Sequence, residues 1–169
     1  MLRFPIRYAR DIGNHAAIRH NGSMKTEAPR ITIAEFDAIC AAEGGMVEHY
    51  GFVTDHIGYG EARVRLPIDH AHIRAGGTVS GPAMMALGDF AVYALIMGMI
   101  GSSPLSVTTS LNVNFLRRPK PVDLLAEATI LKLGKRLAVG AVNIHSLGDD
   151  DPVAHLTATY SIPPPDHRG

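Results

Sequence analysis

The chain has 169 residues, of which 46% are hydrophobic and 19% charged, a composition typical of one globular domain with a substantial core. Its 16 Lys and Arg residues balance its 16 Asp and Glu residues, so no net charge attracts nucleic acid or an anionic membrane. The single cysteine, Cys40, excludes an internal disulfide and a cysteine-based zinc site, and favours a reducing compartment such as the cytoplasm.

Residues 1–30 are predicted to be an N-terminal extension with no assigned function, and residues 31–165 a single domain. The first 23 residues contain four arginines against one aspartate, and no apolar run long enough for a secretory signal. An extension or an over-long start site is therefore favoured over an arginine-rich targeting segment.

The first predicted helix begins with a capping box. Thr32 and Glu35 have the T-x-x-E spacing, and apolar residues follow at helical intervals. Gly44 and Gly45 are predicted to end this helix. Cys40 lies on its apolar stripe and is expected to be a core residue.

Two strands are predicted next, over residues 46–52 and 60–68, with a turn over 55–60. In the second strand apolar and polar residues alternate, as expected of a half-buried strand. A loop over 69–77 follows and contains His70 and His72, which we expect to be solvated. No HxxxH or HExxH spacing occurs, so neither a metal site nor a cofactor is expected.

Residues 83–99 are predicted to form a long buried helix. Asp89 is its only charged residue, and apolar side chains lie on every side of the helical wheel. A membrane span would need about 20 uninterrupted apolar residues, whereas Gly88, Asp89 and Gly98 interrupt this stretch. A buried carboxylate is costly without a partner or a task, so Asp89 is a candidate functional residue. The structural alternative is a buried acid bonded to Tyr93 or to a strand hydroxyl.

Four further strands are predicted after this helix, over 105–116, 123–133, 137–146 and 153–162. One long apolar helix with five or six strands joined by short turns predicts an α+β fold, in which a curved antiparallel sheet wraps round the helix.

The start of the long helix is a candidate oxyanion site. Pro82 suits the first helical position, with Gly81 as the N-cap and Ser80 before it. First-turn N–H groups have no intrahelical partners and lie at the positive end of the helix dipole, where they stabilise an oxygen gaining negative charge. Most helix ends, however, bind only water or a side chain.

Gly81 and Asp89 are separated by about 12 Å along the helix axis, at about 1.5 Å per residue. One chain therefore cannot easily direct both groups at one carbonyl. Two chains related by a two-fold axis can, with Gly81 of one near Asp89 of the other. If both act on one substrate, the site lies at a homodimer interface.

The run GTVSGPAMMALGD, residues 77–89, resembles the motif of the hotdog-fold acyl-CoA thioesterases of the phenylacetic-acid-pathway type. The run NVNFLRRP at residues 112–119 resembles the next strand of that family, and GKR at 134–136 the turn that follows. The likeness extends over about residues 46–162. It implies a hotdog fold. It also implies an assembly that is either a homodimer or a homotetramer built as a dimer of dimers.

The resemblance also implies a reaction, the hydrolysis of an acyl-CoA thioester to the free acid and CoA. Gly81 falls on the glycine whose N–H polarises the thioester carbonyl. Asp89 falls on the acid that acts as nucleophile or as general base. Thr108 falls near a strand hydroxyl that positions water in some relatives, and Thr109 is the alternative by strand parity.

Three positions depart from the family pattern. Ser80 replaces the usual His, and Pro82 replaces the second Gly. Ser80 can cap the helix or donate a hydrogen bond, but it does not titrate near neutral pH as His does. Arg74 stands where many relatives have an Asn or Gln that contacts the substrate.

Basic residues near predicted strand ends are candidates for binding the phosphates of CoA. Arg117 and Arg118 follow one strand, and Arg136 lies in a turn. Arginine forks suit phosphate groups. Ordinary solvated turn charges are an equally good interpretation of each residue.

Two other functions are compatible with this fold. A hydratase or dehydratase would need a His working with an acid, and Ser80 occupies the usual place of that His. A non-catalytic acyl-CoA-binding module would fit the loss of the His, but retention of Asp89 argues against it.

Overall fold

The computed structural model describes residues 27–167. Most of the predicted extension, residues 1–26, lies outside the described residues. Within them, an antiparallel sheet of six strands surrounds one long helix, Gly81–Ile100. The predicted α+β architecture is therefore confirmed, and the number of strands in this sheet is the upper of the two predicted.

Three helices, α1 to α3, span Ile33–Glu43, Met46–Tyr50 and Gly81–Ile100. The eight strands, β1 to β8, span Val53–Ile57, Glu61–Leu66, Ile73–Arg74, Thr78–Val79, Val107–Phe115, Leu124–Leu133, Leu137–Ser146 and Ala154–Ser161. The strands of the large sheet lie in the order β1-β2-β6-β7-β8-β5, and β3 and β4 form a separate small hairpin. Turns of 3₁₀ helix occur at His70–His72 and Pro165–His167.

The helix α3 is the core element that its composition predicts. Most of its side chains are buried, and those facing it from the sheet include small residues at alternating positions of β6, β7 and β8. Gly88 lets the helix approach β8, because a Cβ at this position would lie 1.9 Å from Leu156 Cδ2. Gly98 similarly lies against the turn at Gly58, where a Cβ would lie 2.7 Å from the carbonyl oxygen.

By length and composition α3 could also cross a membrane, but 72% of its apolar window is buried inside the domain. The helix therefore behaves as the core of a folded domain, as its interruptions by glycine and by Asp89 predict.

The capping box at the start of α1 is confirmed. The hydroxyl of Thr32 accepts a hydrogen bond from Glu35 N, and the carboxylate of Glu35 accepts one from Thr32 N at 2.8 Å. Cys40 is buried on the inner face of this helix, also as predicted.

The strand predicted over residues 46–52 is wrong. Met46–Tyr50 is a short helix, bounded by Gly45 and by Gly51 in the left-handed conformation. The strand begins at Val53 and continues through residues assigned to a turn by the sequence. It pairs with β2 at the edge of the sheet, where polar side chains are tolerated.

Strand β5 forms the opposite edge of the sheet. Among residues 27–167 it pairs with β8 alone, so its outer edge is open there, and none of its residues is fully buried. Apolar side chains at its two ends are exposed, with Val107 57% and Phe115 52% accessible. An open edge carrying exposed apolar side chains is a surface on which a further strand can pair.

Candidate active site

Asp89 is half-buried on α3 and is held by two hydroxyl groups from the sheet. Thr108 Oγ1 on β5 donates to Asp89 Oδ1 at 2.7 Å. The Tyr160 hydroxyl on β8 lies 2.8 Å from the same Oδ1 and 2.9 Å from the carbonyl oxygen of Asp89. Within residues 27–167, no hydrogen-bond donor reaches the second carboxylate oxygen, Oδ2. The strand hydroxyl expected in the structural alternative is thus present, and one oxygen is left for other contacts.

Tyr160 lies in the candidate site, although its sequence position does not single it out. It is 3% exposed, and its burial, followed by the negative charge of Asp89, raises the pKa of the Tyr160 phenol above its ordinary value. The phenol therefore stays protonated and remains a hydrogen-bond donor to Asp89. A Tyr in a core strand needs a hydrogen-bond partner for its hydroxyl. This requirement is the feature of the sequence that could have linked Tyr160 to a buried acceptor such as Asp89.

Strand parity now separates the two threonine candidates. Thr108 faces Asp89, whereas Thr109 is exposed and donates to the carbonyl oxygen of Thr159 at 3.1 Å. A bulge in the pairing between Thr108 and Ser110 sets this arrangement. The structure therefore places Thr108 beside the acid and Thr109 away from it.

The start of α3 differs by one residue from the prediction. Ser80 is the N-cap, and its Oγ accepts a hydrogen bond from Ala83 N at 3.4 Å. Gly81 opens the helix, so Pro82 is the second helical residue and not the first. The hydroxyl of Ser80 gives this residue the capping role that a glycine cannot fill. Pro82 has no N–H and Ala83 N is already bonded, so in the described part of the chain Gly81 N–H is the principal unbonded donor of the first turn.

A surface cleft of about 580 Å³ lies at this end of the helix and brings together several predicted residues. Gly81 and Arg74 line it with Arg117 and Arg118 at the end of β5. The hydroxyl of Thr78 donates to the carbonyl oxygen of Pro119 at 3.2 Å, which ties β4 to the arginine segment. The cleft thus joins a helix N-terminus to three positive charges.

The arginines of the cleft have different partners. Arg117 Nη2 donates to the carbonyl oxygen of Asp151 at 2.6 Å, and Arg118 donates to the carbonyl oxygen of Gly76. Arg136 lies elsewhere, at the end of the sheet where β5 begins, and its Nε donates to the carbonyl oxygen of Ile162 at 3.0 Å. Arg136 is therefore not in the same cleft as the other candidates.

Asp89 opens into a second cavity, of about 290 Å³, and not into the cleft at Gly81. Thr108 and Tyr160 line this cavity beside the acid. The two candidate groups of one chain therefore belong to different depressions, as the helical spacing of about 12 Å predicts.

His72 is not the solvated residue that its loop position predicts. It is 5% exposed, and its ring stacks against Tyr50 with centroids 6.1 Å apart. Its Nδ1 accepts a hydrogen bond from Asp69 N at 3.2 Å. The contacts with Tyr50 and Asp69 hold the ring in the interior, at a position that the loop composition assigns to solvent. Among the described residues, no group of three or more His, Cys, Asp or Glu residues is arranged to hold a metal ion.

Comparison with known proteins agrees with this architecture. The family model described as the thioesterase superfamily matches residues 76–153. A candidate thioesterase from Silicibacter sp. TM1040 has a solved structure that is 40% identical, covering 83% of this chain and 96% of that one, with a TM-score of 0.71. A point mutant of the phenylacetic acid degradation protein PaaI from Thermus thermophilus is 27% identical over 68% of this chain and 96% of its own, with a TM-score of 0.60. A candidate esterase from Thermoplasma acidophilum is 26% identical over 97 residues, which are 57% of this chain and 73% of that protein.

The class follows from these findings together with the fold: the protein is a hotdog-fold hydrolase of thioesters. The chain belongs to the thioesterase superfamily, and its likeness to the phenylacetic-acid-pathway type is confirmed.

Proposed function

We propose that this protein hydrolyses acyl-CoA thioesters to the free acid and CoA, at a site shared by two copies of the chain. The observation that carries the proposal is the hydrogen bonding of the Asp89 carboxylate and its access to a cavity. Thr108 and Tyr160 hold its Oδ1, while Oδ2 has no donor among the described residues and the group borders an open cavity. An oriented carboxylate with one free oxygen is suited to act on a carbonyl carbon, directly or through water.

The sharing of the site between two copies is supported by the open edge of β5. Thr108 near the start of this strand contacts Asp89, whereas the Phe115 ring at its end lies against Gly81. If two copies pair antiparallel along β5, the start of one strand lies beside the end of the other. This pairing brings Asp89 of one copy toward Gly81 of the second.

In the proposed reaction, Gly81 N–H donates to the thioester oxygen and stabilises the negative charge that develops there. The Asp89 carboxylate either attacks the carbonyl carbon, giving a mixed anhydride that water then hydrolyses, or removes a proton from water that attacks. In both routes the C–S bond breaks, CoA leaves as the thiolate and takes up a proton, and the acyl group leaves as the acid.

The remaining candidate residues would bind the rest of the substrate. Arg74, Arg117 and Arg118 surround the cleft at Gly81, where the phosphates of CoA would find positive charge. Ser80 and Pro82 would act through the helix end: Ser80 caps it, and Pro82 leaves Gly81 N–H without a competing neighbour. Arg136 of the paired copy would reach the site from the start of β5.

We also propose a homodimer or a dimer of dimers as the working form, and the cytoplasm as its location. The exposed apolar ends of β5 support the pairing. The single cysteine, Cys40, is a buried thiol, which supports a reducing compartment, where CoA thioesters are also found as soluble substrates.

The Asp89→Asn variant tests the assignment. Asn retains an oxygen that accepts hydrogen bonds from Thr108 and Tyr160, so the fold and melting temperature should change little. It removes the reacting oxygen, so kcat for thiol release from a panel of acyl-CoAs should fall by about a hundredfold or more. Asp37→Asn, an exposed acid on α1, is the matched control and should keep wild-type rates.

Equal rates for Asp89→Asn and wild type would overturn the role of Asp89. If the wild type releases no thiol but melts at a higher temperature with acyl-CoA, the protein is a binding module and the proposed hydrolysis is wrong.

Single-turnover hydrolysis in ¹⁸O-labelled water tests the nucleophilic role of Asp89. If Asp89 forms the anhydride and water then attacks its aspartyl carbon, the label enters the Asp89 carboxylate and the first product acid is unlabelled. Label in the product acid at once means that water attacks the acyl carbon, as it does when Asp89 is a general base.

A further inference from the structure

The cavity beside Asp89 extends away from the reacting groups toward the N-terminal helices. It measures about 290 Å³, and its walls come from α3, from the start of β5 and from the helices α1 and α2. Cys40 of α1 and Val47 of α2 line the part that the sheet does not supply. Asp89 and Thr108 line the same space, so the cavity is continuous with the carboxylate.

The lining is apolar and aromatic away from the carboxylate. Phe90 and Tyr93 lie on the α3 wall with ring centroids 6.5 Å apart, and Phe36 on α1 packs against both. Ser106 also lines the cavity, but its hydroxyl is bonded to Ser103 Oγ at 3.0 Å. A concave apolar space with polar groups gathered at the reacting end is typical of a pocket for the apolar part of a substrate.

The volume limits the ligand. Small-molecule pockets usually measure about 300 to 1,000 Å³, so this cavity of about 290 Å³ lies just below the usual range. It suits a short, branched or single-ring acyl group better than a long fatty chain.

We propose that this cavity is the acyl-binding subsite, and that Cys40 and Val47 set the largest acyl group the enzyme hydrolyses. The inference rests on the proposed acyl-CoA hydrolysis. Each methylene buried in such a subsite raises kcat/KM by about fourfold until the space is full, and a further methylene then lowers it. The N-terminal helices thus determine substrate length, while the sheet and α3 carry the reacting groups.

The test is a length profile of kcat/KM, measured by thiol release on straight-chain acyl-CoAs from acetyl to decanoyl. Cys40→Leu adds volume at the α1 wall and should lower kcat/KM for the longest good substrate by about tenfold or more, with acetyl-CoA little affected. Val47→Ala enlarges the cavity and should move the optimum toward longer chains. Ala41→Leu, an exposed neighbour on the same helix, is the matched control and should leave the profile unchanged.

An unchanged profile in both Cys40→Leu and Val47→Ala would overturn the subsite while leaving the hydrolysis intact, as would an equal loss at every chain length. Val47→Ala keeps the test decisive if Cys40→Leu fails to fold.

A binding experiment separates failure of the subsite from failure of the proposed function. Straight-chain alkanamides, which carry a neutral carbonyl and an apolar chain, should raise the melting temperature of wild type and Ala41→Leu but not of Cys40→Leu. If the wild type hydrolyses no acyl-CoA yet shows this pattern, the proposed subsite is supported and the proposed hydrolysis is wrong. If the amides shift all three proteins equally or none, the subsite is wrong.

Discussion

At the scale of single residues, the arrangement round Asp89 is asymmetric. Thr108 and Tyr160 both reach Oδ1, and the Tyr160 hydroxyl lies nearly as close to the carbonyl oxygen of Asp89. Hydrogen bonds to a charged acceptor contribute about 1.5 to 3 kcal/mol each, which is enough to fix one rotamer of the carboxylate. The hydroxyls therefore orient the acid and leave Oδ2 as the oxygen available for chemistry.

Replacing Thr108 by Val keeps the shape of the side chain and removes the donor. If Thr108 orients Asp89 for catalysis, kcat should fall by about ten- to a hundredfold, as expected for loss of one hydrogen bond to a charged group. Thr109→Val on the same strand is the control, because Thr109 is exposed and faces away from Asp89. Steady-state kinetics on one acyl-CoA measures both variants.

Equal kinetic losses in Thr108→Val and Thr109→Val would show a general effect on β5 and contradict the positioning role. Melting temperatures of the two proteins serve to exclude unfolding as the cause of a loss.

The sequence reveals part of this constellation. Asp89 is conspicuous, because it is the one charge in an apolar helix, and Thr108 follows from the family resemblance. Tyr160 lies 71 residues after Asp89, and its alternation on β8 marks it only as a core residue. Which hydroxyl of the sheet meets the acid is decided by strand register, and no local pattern encodes that register.

At the scale of elements, the contact between α3 and β8 depends on a missing side chain. Gly88→Ala would place a Cβ 1.9 Å from Leu156 Cδ2, and Leu156 is completely buried. We expect this variant to lose about 1 to 3 kcal/mol of unfolding free energy through overpacking. Urea denaturation followed by circular dichroism measures the change.

A second substitution tests whether the clash with Leu156 is the cause. Leu156→Ala alone should also destabilise, because it leaves a cavity. In the double variant each change relieves the other, so the combined loss should be smaller than the sum of the single losses. Strict additivity would mean that the cost at Gly88 has another origin.

The segment between α1 and β2 shows why local patterns mislead. Residues 46–52 contain apolar and aromatic side chains that suit a strand, yet the segment is a helix that ends at Gly51, with Tyr50 stacked on Phe52 at 5.2 Å. Tertiary packing against the aromatic side of α3 overrides the propensity of these residues. The long elements α3 and β7 are predictable, because α3 is apolar on every side and the residues of β7 alternate between buried and more exposed positions.

At the scale of the whole molecule, the proposed site needs two copies, and this can be tested with two inactive proteins. The Asp89→Asn variant lacks the reacting carboxylate, and the Gly81→Pro variant lacks the backbone N–H that donates to the thioester oxygen. Proline is favoured in the first helical turn, and Ser80 already has an extended ψ of 150°. A Cβ at position 81 would lie 3.2 Å from Phe115 Cζ, so the exposed Phe115 ring must shift by a few tenths of an ångström. Refolding the two variants together should restore activity to about a quarter of the wild-type level, since half of the dimers are mixed and each has one intact site.

Each variant refolded alone is the control and should stay inactive. No recovery in the mixture, although mixed dimers form, would mean that Gly81 and Asp89 of one chain serve the same site. The heterodimers can be counted by native mass spectrometry of proteins carrying different tags.

The overall architecture is more predictable than the site. The order of one apolar helix and several alternating strands is enough to predict the α+β layout, because each element must bury its apolar face against another. The opening of Asp89 into a cavity lined by α1 and α2 depends on packing between segments distant in sequence. The cavity is therefore a property of the fold and cannot be read from a motif.

Gly81 and Asp89 are fixed to the same rigid helix, and this has a mechanical consequence in the proposed dimer. Each α3 supplies the N–H donor of one site and the carboxylate of the other. Because the helix is rigid, the distance between these two groups is fixed. A small slide of one helix along its axis would alter the donor distance in one site and the acid distance in the other at the same moment. The geometries of the two sites are therefore coupled through the two α3 helices.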